Sequence, residues 1–329
     1  MKKYYNRNSI AILLVFILSF SFRLYAKEIR ITFQSVGVKS SYDSVLVLNQ
    51  NTNAEVKLLN SQQLILIDTL QKLPTTHSGE VEMVCNENDQ LVYKAFSGKN
   101  TTIIIDTPKK SKLVLLNFIE CVDIDGNHYA VVKIGTQWWM AENLRVTKYN
   151  NGDLIPNMIS SESWRVINTG AQCSYLNSEN YDTLHKYGRL YNWFAVSDKR
   201  KLAPKGWHVP SDKEFIVLET YVSYNLGNST STPKALASSH DWNKYRKIGT
   251  IGKNMEQNNS SGFTAMPGGF RSYSNGKFLH IVDYGYFWSS SENQSQGAWV
   301  RGLDFRSDII AGGNGCKLHG YSVRCIKNK

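Results

Sequence analysis

Apolar and polar residues alternate in short stretches through the first third of the chain, and turn-forming residues separate these stretches. Neighbouring side chains of a β-strand point to opposite faces, so this period of two predicts strands with one buried face. Turn signals recur about every ten residues, which is typical of an antiparallel sandwich. We therefore predict a β-sandwich spacer of about eight strands over residues 27–120. The alternating stretches are 29–33, 44–48, 63–67, 81–85, 91–96, 103–105 and 113–118.

A helical period appears in the second part of the chain. Ser211 and Glu214 form a capping-box pair, and the apolar residues that follow are spaced three and four apart, which gives a helix one buried face. Pro233 favours a second, shorter helix with Leu236 turned inward. Strands and glycine-rich turns follow from residue 263. Residues 121–329 are therefore predicted to form a mixed α+β module with two helices and long loops.

The tryptophans also divide the chain into two modules. All eight lie at or beyond Trp138, and the predicted sandwich has none. Six of them alternate with apolar residues or flank glycines, which favours places in the core. These are Trp138, Trp139, Trp193, Trp207, Trp288 and Trp299.

The first 26 residues have the layout of a signal peptide. Lys2, Lys3 and Arg7 precede an apolar run over residues 10–20, and Ala26 supplies a small residue at the expected cleavage point. The run is shorter than the roughly 20 residues of a membrane-spanning helix. We expect an exported protein in the periplasm, at the cell surface or secreted, with no stable membrane span after cleavage. An uncleaved anchor is the alternative.

The basic charge does not indicate nucleic acid as a partner. The formal net charge is +11, and the predicted signal peptide contributes Lys2, Lys3, Arg7 and Arg23 and no acid, so 11 − 4 leaves +7. The remaining basic residues are scattered, whereas nucleic-acid binding requires a basic stripe on a recognisable module. A solvated basic face is the better interpretation.

Six ordered blocks lie beyond residue 130, at 132–144, 187–193, 204–212, 262–271, 285–292 and 320–326, and they include Gln137-Trp138-Trp139-Met140, Pro204-Lys205-Gly206-Trp207-His208 and Ser322-Val323-Arg324-Cys325. Together these blocks resemble the Fibrobacter succinogenes major paralogous domain, which is common in exported proteins of Bacteroidetes. The resemblance covers about 200 residues and is specific because the blocks keep their order. It implies a fold similar to C-type lectins and to the formylglycine-generating enzyme superfamily, with no assigned activity.

Five cysteines leave at least one thiol without an intramolecular partner. Many members of the resembled family have a cysteine where this chain has Ala203, so the resemblance implies that Cys325 has lost its usual partner. Cys325 is then expected either to bond Cys316 or to stay buried and reduced. Cys85 with Cys121 is a second candidate pair.

No catalytic motif is recognisable. The seven histidines show no metal-ligand spacing, and the sequence has neither a nucleophile elbow nor a phosphate-binding loop. Asp123-Ile124-Asp125-Gly126 favours a β-turn over a calcium loop, because the twelve-residue loop is not completed. His208 is interpreted as a structural histidine. We expect no cofactor and no metal.

A sugar site without calcium would use exposed aromatic rings beside polar side chains. The candidates in the polar insertions are Trp164, Tyr181, Trp242 and Tyr245, with Asp241 beside them; for each ring the alternative is a partly buried loop anchor. We expect a non-catalytic module that recognises a glycan or a protein partner at the cell envelope. A structural or assembly component of the envelope is the alternative, followed by a degenerate formylglycine-generating-type oxidase.

Overall fold

Eight strands build the first module of this computed structural model, which describes residues 28–37, 41–67, 79–226, 231–295 and 297–329. The signal peptide predicted at residues 1–26 lies outside the described residues. The sequence pattern missed the third strand, which lies at a sheet edge and buries only Leu58. The strands are β1 (Ile29–Val36), β2 (Ser44–Asn49), β3 (Glu55–Leu59), β4 (Gln63–Ile67), β5 (Glu80–Val84), β6 (Leu91–Ser97), β7 (Asn100–Asp106) and β8 (Lys112–Asn117).

These strands enclose one apolar core between two sheets. One sheet has the order β5-β4-β1-β8, and β7-β6-β2-β3 belong to the other. Phe33 of one sheet and Tyr93 of the other meet edge to face with ring centroids 5.2 Å apart. The prediction of a purely antiparallel sandwich is wrong, because β1 pairs with β8 and β4 with β5 in parallel. A period of two does not report strand direction, because parallel and antiparallel strands alternate their side chains in the same way.

The second module contains short helices, a five-stranded sheet and several small strands. The five-stranded sheet has the order β15-β14-β16-β17-β18. The elements are β9 (Val131–Ile134), β10 (Gln137–Met140), α1 (Ser161–Val166), β11 (Gln172–Ser174), α2 (Tyr181–Tyr187), β12 (Arg189–Tyr191), α3 (Trp193–Val196), β13 (Trp207–His208), α4 (Asp212–Asn225), α5 (Thr232–Leu236), β14 (Gly268–Arg271), β15 (Phe278–Ile281), β16 (Tyr284–Glu292), β17 (Gly297–Asp304), β18 (Ala311–Cys316) and β19 (Ile326–Lys327).

The two predicted helices are present as α4 and α5. The Ser211 side chain accepts the Glu214 amide and the Glu214 side chain accepts the Ser211 amide, which completes the predicted capping box. The expectation of only two helices is wrong, because α1, α2 and α3 also form. Each is short and depends on a side-chain N-cap rather than on a long apolar face, with Ser160, Asn180 and Asn192 as the caps.

A continuous sheet joins the two modules. β7 of the sandwich pairs in parallel with β9 through Thr102 opposite Val131 and Ile103 opposite Val132. β10, β19 and β13 extend the sheet, which therefore has eight strands in the order β13-β19-β10-β9-β7-β6-β2-β3. No helix among the residues that the structure describes is long and apolar enough to cross a membrane.

Buried aromatic rings and buried arginines hold the second module together. The Arg324 side chain donates to the carbonyl oxygens of Phe263 and Thr264 and to the Asn143 Oδ1, the last at 2.9 Å. Arg271 donates to backbone carbonyls of residues 158–160 and 276. Of the six tryptophans predicted for the core, four are buried and two half-buried. The buried ones are Trp139, Trp193, Trp207 and Trp288, and the half-buried ones are Trp138 and Trp299.

Candidate functional site

A layer of aromatic rings lies on one side of the five-stranded sheet. We call it the aromatic face and define it by six rings that are half-buried or exposed: Phe270, Tyr273, His280, Tyr284, Tyr286 and His319. Each ring contacts at least one other, with centroids between 4.8 and 5.8 Å apart. Buried Trp288 and Tyr321 support the layer from below.

Strand alternation explains why the rings gather there. Tyr284, Tyr286 and Trp288 are two residues apart on β16, so their side chains share one face of the sheet. Along this row Tyr284 and Tyr286 are half-buried and Trp288 is completely buried. The row therefore runs from the core to the surface, and its rings are fixed at their inner end.

Small residues on the neighbouring strands leave the space beside the rings unfilled. Gly302 of β17 and Ala311 of β18 lie beside Tyr286 in the sheet register. A Cβ on Gly302 would come within 2.8 Å of the Tyr286 ring, whereas a Cβ on Gly313 would meet nothing within 4 Å. The rings therefore lie beside a strip of the sheet surface with few large side chains, and this strip is open to solvent at Gly313.

Polar groups surround the outer end of the row. The Arg306 guanidinium donates to the Tyr284 hydroxyl and to the Asp304 carboxylate, the latter at 3.1 and 3.2 Å. On the other side of the row, Asn243 donates to Asp283 at 2.7 Å. This end of the face therefore offers both donors and acceptors.

The turn that leads into β16 is strained. His280 and Val282 have φ values of 61° and 62°, a left-handed conformation that is unfavourable for a β-branched residue such as valine. Strain of this kind costs about 1–3 kcal/mol and concentrates at binding sites. The ring of His280 stacks on Phe270 with planes 20° apart, so the strained turn positions part of the aromatic face.

The two tryptophans predicted as exposed sugar platforms are buried, so that expectation is wrong for both. Trp164 is 0% exposed; its indole donates to the Leu318 carbonyl at 3.0 Å and its ring lies under Arg271. Trp242 is 4% exposed and donates to the Ser238 hydroxyl at 3.0 Å. Both are loop anchors, because short loops between small strands need large rings to form a core.

The other three predicted site residues are accessible but do not belong to the aromatic face. Tyr181 is 70% exposed and packs only on His185 of its own helix among the described ring contacts. Tyr245 is 41% exposed and meets Phe305 edge to face. Burial raises the pKa of the Asp241 carboxyl, but its pairings with Lys186 at 2.5 Å and with His240 together outweigh burial, so the pKa is lowered overall.

The predicted Cys316–Cys325 disulfide is absent, and all five cysteines are free thiols. Cys316 is half-buried on the edge strand β18, whereas Cys325 is completely buried in the core, where burial raises the pKa of its thiol. The alternative expectation, a buried and reduced Cys325, matches the structure. Cys85 and Cys121 are also unpaired, because they pack into separate cores.

The described residues contain no group of three or more metal-ligating side chains. Asp123 accepts the amides of Asp125 and Asn127 at 3.0 Å and closes the predicted β-turn. The ring of His208 bonds the side chains of Asn328 and Glu214 at 2.7 and 2.9 Å.

Sequence reasoning missed the aromatic face because it looked for exposed rings in the polar insertions and, within the family-like blocks, considered only the tryptophans, which it assigned to the core. The signal that could have located it is the alternation Tyr284-Gly285-Tyr286-Phe287-Trp288, followed further along by the glycine-rich stretch Gly312-Gly313-Asn314-Gly315. Rings on alternate positions of one strand, in a sheet that also contains a glycine-rich strand, indicate that one face of the sheet is left open.

The fold and this face define a mostly β protein with several sheets, few helices and an aromatic surface on its five-stranded sheet. A family model described as the Fibrobacter succinogenes major domain matches residues 132–327, which is more than half of the chain. The chain therefore belongs to that family, as the sequence blocks indicated.

Comparison with individual proteins adds little. No curated protein matches the chain. Among solved structures the chain is similar to a fimbrial protein from Bacteroides ovatus ATCC 8483, with 10% sequence identity and a TM-score of 0.19, covering 92% of this chain and 70% of the other. A likeness of that size carries no argument about fold or function.

Proposed function

We propose that the chain is an exported, non-catalytic binding protein of the cell envelope and that its aromatic face binds a glycan. The observation that carries the proposal is the stacked pair of half-buried rings, Tyr284 and Tyr286, beside a strip of small residues. Export rests on the signal peptide expected at residues 1–26.

A glycan suits this surface better than a purely apolar ligand. The C–H faces of a pyranose pack on aromatic rings, and its hydroxyls need neighbouring donors and acceptors. Tyr284, Asp304 and Arg306 provide both within one hydrogen-bonded group. Because Arg306 already pairs with Asp304, its charge is largely neutralised, which favours a neutral glycan over an anionic one.

The ring side chains provide the test. Glycan-array screening of residues 27–329 identifies a ligand, and calorimetric titration then compares the wild type with the double variant Tyr284→Ala/Tyr286→Ala. We expect the double variant to lose affinity at least about tenfold, or about 1.4 kcal/mol. Tyr224→Ala is the matched control, because Tyr224 is 79% exposed on α4, away from the aromatic face.

The outcomes separate glycan recognition from docking to a protein. Equal losses in the control and the double variant, or no loss in either, would exclude the aromatic face as the binding surface. If no glycan on the array binds but a protein of the envelope does, and that binding requires Tyr284 and Tyr286, the docking role replaces the glycan.

The fold of residues 121–329 is proposed to be C-type-lectin-like, as the resemblance implies. The support is the pairing of β10 with β19 through Trp139 opposite Ile326, which brings the two ends of the module together in one sheet. An experimental structure of the chain compared with C-type lectins tests this, and a different order of strands in the sheet would overturn it.

A further inference from the structure

A second cleft lies where the two modules meet, and all seven residues that line it are polar. We call it the amide cleft; its volume is about 360 Å³. It shares no residue with the aromatic face. The lining residues are Asn51, Asn88, Gln90 and Thr107 from the first module and Glu256, Gln257 and Ser260 from the second.

The first-module side of the cleft is held rigid. Asn51 accepts the backbone amide of Gln90 at 2.8 Å, which ties the turn after β2 to the start of β6. Asp89 in the same loop accepts the Asn49 amide group at 2.8 Å and the Asn86 backbone amide at 2.9 Å. These bonds fix the backbone that carries Asn88.

A buried lysine fixes the second-module side. The Lys234 ammonium donates to the Asn258 side chain at 2.7 Å and to the backbone carbonyls of Lys253 and Asn254. The 3-10 helix Met255–Gln257 lies between these acceptors and carries Glu256 and Gln257. The two sides also meet directly, because the Gln90 side chain donates to the Asn258 carbonyl at 3.2 Å.

The cleft offers side chains that are open to a ligand. Asn88, Thr107, Glu256 and Gln257 are exposed, and within the described ranges no hydrogen bond of the protein engages their side chains. The Ser260 hydroxyl is buried and also lacks a partner. A buried polar group without a partner is rare in native structures and points to a missing one.

From this arrangement we infer that the amide cleft binds one or two residues of a neutral saccharide. Amides and hydroxyls both donate and accept, as the hydroxyls of a sugar require. The single carboxylate, Glu256, disfavours an anion and is too few for a metal site. The absence of apolar lining residues disfavours a lipid or an apolar peptide.

The inference does not depend on the aromatic face, so it is tested in the Tyr284→Ala/Tyr286→Ala background, where that face is removed. The probes are glucose, galactose and N-acetylglucosamine, titrated into the full mature chain by calorimetry and by ligand-observed NMR. We expect at least one probe to bind with the same affinity in this background and in the wild type.

Three substitutions remove cleft groups with little change of shape. Asn88→Gly keeps the left-handed backbone, where φ is 72°, and removes the amide; Thr107→Val and Gln257→Leu remove a hydroxyl and an amide. Each substitution should lower the affinity for the probe by about fivefold or more, which is the effect of one lost hydrogen bond. Asn53→Gly is the matched control, because Asn53 has φ 58° in a nearby turn but does not line the cleft.

Ser260→Ala tests whether the Ser260 hydroxyl serves ligand binding or stabilises the fold. Removing a buried hydroxyl that has no partner should raise the melting temperature of the free protein and lower its affinity for the probe. The inference is overturned if none of the three probes binds, or if a probe binds and the cleft substitutions leave its affinity unchanged. If only glycan binding at the aromatic face is lost, the inference about the amide cleft still stands.

Discussion

The rings of Tyr284 and Tyr286 are nearly parallel, with planes 9° apart and centroids 5.5 Å apart. On the neighbouring strand Gly302 lies opposite Tyr286. A side chain there would press on the Tyr286 ring, since its Cβ would come within 2.8 Å of it. The aromatic face therefore depends on a glycine as much as on the tyrosines.

Gly302→Val should disturb the aromatic face. Its Cβ would lie 2.8 Å from the Tyr286 ring, so the ring must turn away from Tyr284. We expect glycan affinity to fall by about tenfold with a smaller loss of stability, measured by calorimetry and thermal unfolding. Gly313→Ala should leave both unchanged, because its Cβ has free space; an equal effect of the two substitutions would contradict this role of Gly302.

Ser211→Ala removes the N-cap of the longest helix. The loss should lower the free energy of unfolding by about 1 kcal/mol, because the Glu214 amide loses its acceptor. Chemical denaturation monitored by circular dichroism measures it. Ser223→Ala, at an exposed position near the end of the same helix, serves as the control and should change stability far less.

Arg324→Met should destabilise the second module strongly. The substitution leaves the carbonyls of Phe263 and Thr264 and the Asn143 side chain buried without the donor they share, at a cost of about 3 kcal/mol. Arg246→Met, at an exposed position, is the comparison. If the two variants unfold at the same denaturant concentration, Arg324 does not have this bracing role.

His319 should make the stability depend on pH. Burial lowers the pKa of its imidazole, and the hydrogen bond with the Arg271 carbonyl opposes this only partly. The unfolded chain therefore binds the proton more readily than the folded chain. The contribution of His319 to the free energy of unfolding is fully present above about pH 6.5 and is lost as the pH falls below that value. His319→Phe should flatten this acid-side loss in unfolding experiments; an unchanged slope would show that other groups cause it.

The sequence predicted those features that depend on local pattern. The strands of the sandwich follow from alternation, and α4 follows from Ser211, Glu214 and the spacing of its apolar residues. Strand direction in the β1–β8 and β4–β5 pairs could not be predicted, because parallel and antiparallel strands bury alternate residues alike.

The candidate site was harder to predict because exposure of a ring depends on distant segments. Trp164 lies in a polar insertion, yet the Leu318 carbonyl and Arg271 bury it. Tyr286 lies in one of the family-like blocks, whose tryptophans were assigned to the core, yet its ring is only half-buried. Sequence position relative to polar loops was therefore the wrong criterion for both residues.

The most direct test of the aromatic face is NMR of its rings in the presence of a glycan selected on the array. The carbon-bound ring protons of Tyr284, Tyr286 and Phe270 should shift as the glycan is added, and those of Tyr181 and Tyr245 should not. Shifts confined to Tyr181 and Tyr245, with the rings of β14 and β16 unchanged, would contradict the account.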